Sequence, residues 1–275
     1  MISPAILVLA LKGFEETIKS VTSRKDKVNV IAYADDFVIT GATKAVLENK
    51  IMPVVVAFLK ERGLELSTEK TKITHIDDGF NFLGFNIRKY KGKLLIKPSK
   101  ENLKIFLNKI RDFIKSNPTM KTENLIRHLN PKIRGWANYY RHVVAKATFN
   151  YVDNRIFRTL MRWIRRRHPE KNAQWRNKKY FRTQGIRRWI FSVKVKNKKG
   201  NYSFLDLFTA SKLPIRRHVK VRAEANPYDP RYVEYFCERE RLKSKRRIQD
   251  QALLNPKLKD LHTNHWTAGS CKHGL

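Results

Sequence analysis

At Ser99 the hydrophobic rhythm of this 275-residue chain changes, and the change narrows the folds open to it. Before that point short runs alternate with a period of about two, as strands do; after it, Leu103, Phe106, Leu107, Ile110, Phe113 and Ile114 recur with a period of about 3.6, as one face of a helix does. A strand-bearing first part followed by a mainly helical second part is an α+β chain.

The most informative strand-like run is Val28–Gly41. Two segments rich in β-branched and aromatic residues flank Ala34-Asp35-Asp36, the pattern of a hairpin with two acids at its tip. Such a tip can hold a divalent metal, although two short acids also suit a turn for backbone reasons alone. Ahead of it, Ile6, Leu7, Leu9, Ala10, Leu11, Phe14 and Ile18 predict a buried helix over residues 3–20, with Ser3 as N-cap and Pro4 in its first turn. Behind it, Thr43 caps a helix reaching about Arg62, which Pro53 should kink and Gly63 should end. Strand-like Ile73–Ile76, an Asp77-Asp78-Gly79 turn and the run Phe80–Ile87 follow, and Lys91-Gly92 turns a second hairpin over Tyr90–Lys97. Within Phe82-Leu83-Gly84-Phe85, the glycine allows another backbone to approach, and the two aromatics alone favour packing in the core.

Charge identifies the partner class. Lys and Arg outnumber Asp and Glu 59 to 24, a net +35, far more than solubility needs. The excess is uneven: residues 1–97 hold 16 basic and 11 acidic side chains, residues 98–275 hold 43 and 13. A polyanion is expected, and its contacts lie mainly in the second part. No apolar run reaches the ~18 residues of a membrane span and no signal-peptide pattern is present, so nucleic acid is preferred to a membrane. Two distant cysteines, Cys237 and Cys271, give no disulfide framework and fit a reducing, cytoplasmic compartment.

The second part reads as consecutive helices. Asn117-Pro118 ends the first, Thr122–Leu129 is a short one, and Asn130-Pro131 starts another with Ile133, Trp136, Ala137, Tyr140, Val143 and Val144 on its apolar side. Thr148–Arg167 then turns Val152, Ile156, Leu160, Trp163 and Ile164 inward and stops at His168-Pro169. Trp136 and Trp163 fall on these stripes and read as core. Tyr139 lies off its stripe and Arg134 and Arg141 flank it, so these three are free to meet unpaired bases or a folded RNA groove. For them and for Arg165, Arg166 and Arg167 a solvated basic face is the competing reading, yet arginines interleaved with aromatics fit RNA, whose bases stack on rings and guanidinium planes. Arg187–Val193 reads as a strand, residues 197–201 as a polar loop, Leu205–Phe208 as a short apolar element, Arg216–Val221 as a basic strand, and Tyr232 to about Gln251 as a helix. His262, His265, Cys271 and His273 lack the paired spacing of a zinc site, so no zinc is expected.

Several of these motifs resemble those of group II intron-encoded reverse transcriptases. Ile2-Ser3-Pro4-Ala5-Ile6-Leu7 resembles the palm helix of that family, Tyr33-Ala34-Asp35-Asp36 its metal hairpin, the segment from Gly63 to Lys72 the end of its palm, and Phe82-Leu83-Gly84-Phe85 its primer grip. Residues 133–141, 163–169 and 175–181, with Lys178 and Lys179, resemble its RNA-binding maturase (X) domain. The resemblance divides the chain into the C-terminal part of a palm (1–97), a thumb helix (98–117), a maturase domain (118–185), a basic nucleic-acid-binding segment (186–251) and an unassigned tail (252–275). It implies that Asp35 and Asp36 are metal ligands for Mg²⁺ where the palm is complete, that Tyr33 contacts the incoming nucleotide or primer, that Lys70 assists the leaving pyrophosphate, and that Phe82, Leu83 and Gly84 grip the primer.

The resemblance also implies an aspartate from an earlier strand, which completes the site for the two metals of polymerisation. Glu15, Glu16 and Asp26 sit on a helix end or loop, so the isolated chain is expected to be inactive as a polymerase. Binding of group II intron RNA to aid folding and splicing is the expected function. The alternatives are a reverse transcriptase completed by a separate N-terminal part, and a general nucleic-acid-binding or decayed fragment. Target DNA is a possible second partner.

Overall fold

The computed structural model describes residues 6, 9–34, 36–67, 69–196, 200–222 and 224–254, the last nine without their side chains. They fall into two compact units, Met1–Leu95 and Ile96–Leu275. The architecture is α+β, with antiparallel sheets and helices segregated along the chain.

In the first unit, α1 (Phe14–Ser20) starts only after Gly13, which sits at a left-handed φ of 83°. The continuous helix expected over residues 3–20 is therefore broken, because a residue at that φ ends the preceding turn and begins a new helix. Phe14 and Ile18 are buried, whereas Ile6 and Leu9 are exposed; Ser3 and Pro4 lie outside the described residues. The predicted hairpin is present as β1 (Asn29–Tyr33) and β2 (Asp36–Thr40), paired from Asn29 with Thr40 to Tyr33 with Asp36. Thr43 accepts the Val46 N–H at 3.3 Å, and a π-helical turn (Val46–Ile51) leads into α2 (Met52–Lys60). The irregularity expected from Pro53 takes that form, since a proline offers no N–H to the carbonyl four residues back and its ring crowds it. Gly63, at φ 67°, ends the helix as expected. Phe14, Ile18, Ile51, Val55, Phe58 and Leu59 form this unit's core, with Phe37 of β2 edge-on to Phe14 at 5.1 Å.

Residues 73–76 form no strand, although the Lys89 N–H of the following sheet donates to the Ile76 carbonyl. That sheet has the order β3 (Phe80–Phe82), β4 (Phe85–Tyr90), β5 (Lys93–Pro98). Both turns carry two consecutive positive φ values, Leu83-Gly84 at 48° and 79°, Lys91-Gly92 at 46° and 78°. This is the type I′ geometry that matches strand twist.

In the second unit, α3 (Lys100–Ser116) is capped by Ser99, whose hydroxyl accepts the Asn102 N–H at 3.2 Å. The two helices expected around Asn130-Pro131 are one, α4 (Thr122–Tyr140). Leu125, Ile126, Leu129 and Ile133 are all fully buried, and burial on both sides of Pro131 outweighs a kink cost of about 3 kcal/mol. Asn130 is not a cap: its amide donates to the Asp206 carbonyl (2.9 Å) and accepts the Phe208 N–H (2.7 Å). Next come α5 (Lys146–Arg167), ending at His168 as expected, and α6 (Ala173–Tyr180). The strands β6 (Phe181–Gln184), β7 (Arg187–Lys196) and β8 (Tyr202–Asp206) form a second three-stranded sheet. Two 3₁₀ turns (Ala210–Lys212 and Pro230–Tyr232) follow, and α7 (Val233–Leu254) ends the described chain. Val144, expected inward, is 43% exposed because it lies past the end of α4.

Arg216–Val221 is extended but joins no ladder among the described residues. Its backbone groups are bound otherwise: Arg216 N–H donates to the Arg141 carbonyl, and the Val219 and Lys220 carbonyls accept from the Arg239 guanidinium of α7. One backbone bond and two side-chain bonds thus stand where the alternation implied a strand partner. Among the described residues no helix is long and apolar enough to cross a membrane.

Candidate nucleic-acid interface

The hairpin brings Tyr33 and Asp36 opposite each other, both exposed, with Ala34 at φ 53° in the closing turn. Asp35 lies outside the described residues. Lys70 is exposed on the turn that its N–H and that of Thr71 make with the Ser67 carbonyl, and no described hydrogen bond or ion pair links it to the hairpin.

Two of the earlier acids, Glu15 and Asp26, have other partners. Asp26 accepts from the Ser23 N–H and hydroxyl at 2.9 and 3.0 Å and pairs with Lys50 at 3.3 Å; the Ser23 bonds foremost, then Lys50, hold its carboxyl below the ordinary value. Glu15 pairs with Lys19 along α1. Among the described residues no three His, Cys, Asp or Glu side chains gather to hold a metal. The described donors of the hairpin therefore do not amount to a Mg²⁺ site by themselves, and no catalytic step is derived through that ion. His262, His265, Cys271 and His273 lie outside the described residues.

Phe82 and Phe85 face each other across the β3–β4 turn and are half-buried, as are Leu83 and Gly84. What requires glycine at position 84 is its positive φ in a I′ turn, a reason distinct from room for a second backbone.

The second unit carries the basic and aromatic candidates. Trp136 is core-facing, stacked on Phe106 at 4.7 Å, and Trp163 is 4% exposed with its indole N–H donating to the Asn117 carbonyl at 2.8 Å. Tyr139, by contrast, is 50% exposed, its ring edge-on to the buried Tyr140. Arg134 is exposed with its guanidinium 5.2 Å from the Phe208 ring centre. Arg141 is half-buried, so the structure does not leave all three equally open to a ligand. Between them Gly135 is exposed on a regular helix, and a Cβ there would meet nothing within 4 Å.

The arginine cluster at the end of α5 also divides. Arg165 and Arg166 are exposed. Arg167 donates to the Met120 carbonyl at 2.5 Å and lies over the Trp163 ring, which makes it a latch on the α3–α4 connection. Lys178 is exposed and Lys179 sits 4.6 Å from the Trp175 ring centre. Nearby, burial first and then Lys179, Arg167, Lys171 and Arg176 push the His168 pKa down, which shows how concentrated the positive potential is there.

Three cations that the sequence did not single out, Arg111, Lys115 and Arg162, gather around Arg166. Arg111 and Lys115 of α3 and Arg162 and Arg166 of α5 line an open cleft of about 260 Å³ floored by Ile114 and Trp163. Each helix contributes two of the four at a spacing of four residues, the helical signal that was available, but nothing in the sequence pairs the two helices.

Residues 1–87 match the family model described as reverse transcriptase (RNA-dependent DNA polymerase). Residues 103–181 match the group II intron, maturase-specific domain. Together the two matches cover more than half of the chain. No curated protein matches it.

Proposed function

The chain belongs to the group II intron-encoded reverse transcriptase/maturase proteins, and from that membership we propose that it binds group II intron RNA and assists its folding for splicing. The observation that carries this reading is a coincidence of segments. The maturase-specific match spans the part of the chain that holds α4, α5 and α6, where Arg134, Tyr139, Arg165, Arg166 and Lys178 are all exposed on a strongly basic surface. Phosphates supply affinity through the cations, and exposed rings and guanidinium planes supply choice among RNA folds. Assistance then means tighter binding to the splicing-competent RNA fold, which raises its population without a chemical step by the protein. The setting for such an activity is the cytoplasm, and target DNA is a second proposed partner.

The test compares an Arg134→Ala, Tyr139→Ala variant with an Arg165→Ala, Arg166→Ala variant, both checked for helicity by circular dichroism, against intron RNA and random RNA at one salt concentration. The first should lose discrimination, and the second should weaken both RNAs alike. Retention of full intron preference by a folded first variant refutes this placement of the specificity site.

A second reading is supported by the hairpin, whose strands hold Tyr33 opposite Asp36. In it, an N-terminal reverse-transcriptase part supplied separately completes the palm, and Mg²⁺ bound by Asp35, Asp36 and an acid of that part supplies the polymerase chemistry. Supplying such a part in trans should then produce synthesis that Asp35→Asn removes while RNA binding persists.

A further inference from the structure

The sheet β6–β7–β8 is covered on both faces where β7 begins, since Ile190 and Ser192 are each 6% exposed on the face they share with Lys194, and has an inner and an outer face only toward the far end of β7 and β8. Phe191, Val193, Val195 and Leu205 turn inward, with Phe191 stacked on the buried Tyr180 at 6.1 Å. The register pairs Lys194 with Phe204 and Lys196 with Tyr202, so these four side chains share the opposite face. There Tyr202 is 65% exposed and Phe204 is 55% exposed. Such rings contribute little to folding where they stand, because most of their surface stays in water. Packing does not explain them.

Cations do surround them. Lys194 Nζ lies 4.7 Å from the Tyr202 ring centre, and Arg182 Cζ lies 4.7 Å from that of Phe204. Arg182 is fixed in that position by two bonds to Asp206, 2.8 Å from Nε and 2.6 Å from the terminal nitrogen, which also neutralise the one acid of this face. Two rings at alternate positions of one strand stand about 6.8 Å apart, room for one base on each. Rings that offer a π-face beside side chains that offer positive charge are what an unpaired nucleotide strand needs, whereas a duplex hides its base faces.

We propose that the outer face of β7 and β8 is a stacking site for single-stranded nucleic acid, with Tyr202 and Phe204 each taking a base, Lys194 and Lys196 attracting the phosphates, and the Arg182–Asp206 pair holding the Phe204 ring from one side. The site lies after residue 181, beyond both matched segments. It is a different surface from the intron-recognition surface assigned to α4, and it reads unpaired bases where that surface reads an RNA fold.

The experiment uses the full chain with labelled oligo(U), oligo(dT) and a fully paired RNA hairpin at one salt concentration. Tyr202→Ala, Phe204→Ala should weaken both single strands by about tenfold for each ring lost, and the paired hairpin by less than about twofold, since charge contacts remain. The conservative Tyr202→Phe, Phe204→Tyr exchange should bind within about twofold of the parent. Should the alanine variant fail to fold by circular dichroism, photocrosslinking of the parent to bromouracil-substituted strands decides: adducts at Tyr202 or Phe204 are expected. Equal loss for single strands and paired hairpin, no loss at all, or crosslinks confined to other residues overturns the proposal. Intron discrimination measured with the α4 variant is untouched by any of these outcomes, so the two readings fail separately.

Discussion

Asp153→Ala should loosen the second unit at one identifiable place, the 3₁₀ turn at Ala210–Lys212. In α5 the Asp153 carboxylate accepts the Ala210 N–H at 2.9 Å and the Ser211 N–H at 2.8 Å. Ala210 is fully buried, so an alanine at 153 leaves its N–H without either partner or water. A buried donor stripped of its acceptor costs about 1–3 kcal/mol, and the half-buried Ser211 costs less. Against this stands the relief of no longer burying a carboxylate, whose pKa is raised by burial ahead of the opposing bonds from Ser211 and Ala210. The net expectation is a loss of about 1–3 kcal/mol, read from urea denaturation, with amide exchange accelerated first at Ala210 and Ser211. The pH sense follows from the raised pKa. The folded state holds this proton more tightly than the unfolded chain, so the group's contribution grows as pH falls through the raised value toward the ordinary carboxylate range, and is lost as pH rises. Asp153→Asn should abolish that slope while keeping one of the two bonds. Unchanged exchange at Ala210 and Ser211 in Asp153→Ala would refute the reasoning.

Three further outcomes are expected. The 275-residue chain alone should show no template-directed DNA synthesis with Mg²⁺ or Mn²⁺, because Asp26 is committed to Ser23 and Lys50; extension that Asp35→Ala abolishes would contradict this. RNA affinity should fall steeply with salt, with a log-log slope of roughly 0.7–0.9 per phosphate neutralised, and a flat response in a titration would count against phosphate-dominated binding. Gly135→Ala should stabilise α4 by about 0.5–1 kcal/mol, since the new methyl meets nothing; if the same variant weakens intron RNA binding, the bare backbone there is in contact with RNA, and a destabilised variant would refute the reading of open space.

Local signals carried the legible part of the fold. The Tyr33–Asp36 hairpin, the turn at Lys91-Gly92 and the apolar stripes of α3 and α5 are each written within a few residues, and each was found there, whereas the run Phe80–Ile87 proved to be two strands joined by a turn at Leu83-Gly84. The errors share a cause. Asn130-Pro131 looks like a helix start when read locally, yet Asn130 is used by Asp206 and Phe208, far along the chain. Arg216–Val221 alternates like a strand, but Arg141 and Arg239 take its backbone groups. The Arg111–Arg166 cleft needs two helices side by side, which no sequence window contains. Tyr202 and Phe204 were hidden for a related reason: a ring at alternate strand positions reads as core until the register shows which face the partner strand leaves to water.

Those same distant bonds bear on how the sheet serves the molecule. Asn130 of α4 holds both ends of the Asp206–Phe208 segment, Asp153 of α5 holds the turn two residues further on, and Lys146 donates to the Ser211 and Leu213 carbonyls. Arg134 closes over Phe208 from the exposed side of α4. The strand that carries Tyr202 and Phe204 is thus fastened at its C-terminal end to the two helices that carry the basic surface. A nucleotide strand stacked on the sheet gains from that fastening, because rings already held in place lose little freedom on binding. Arg134 stands at the junction: drawn toward a phosphate, it would leave Phe208 and remove one of the contacts on the segment that ends the sheet. Binding at α4 and binding at β8 therefore share a side chain's neighbour, and the Arg134→Ala variant should alter single-strand affinity slightly where Tyr139→Ala alone does not.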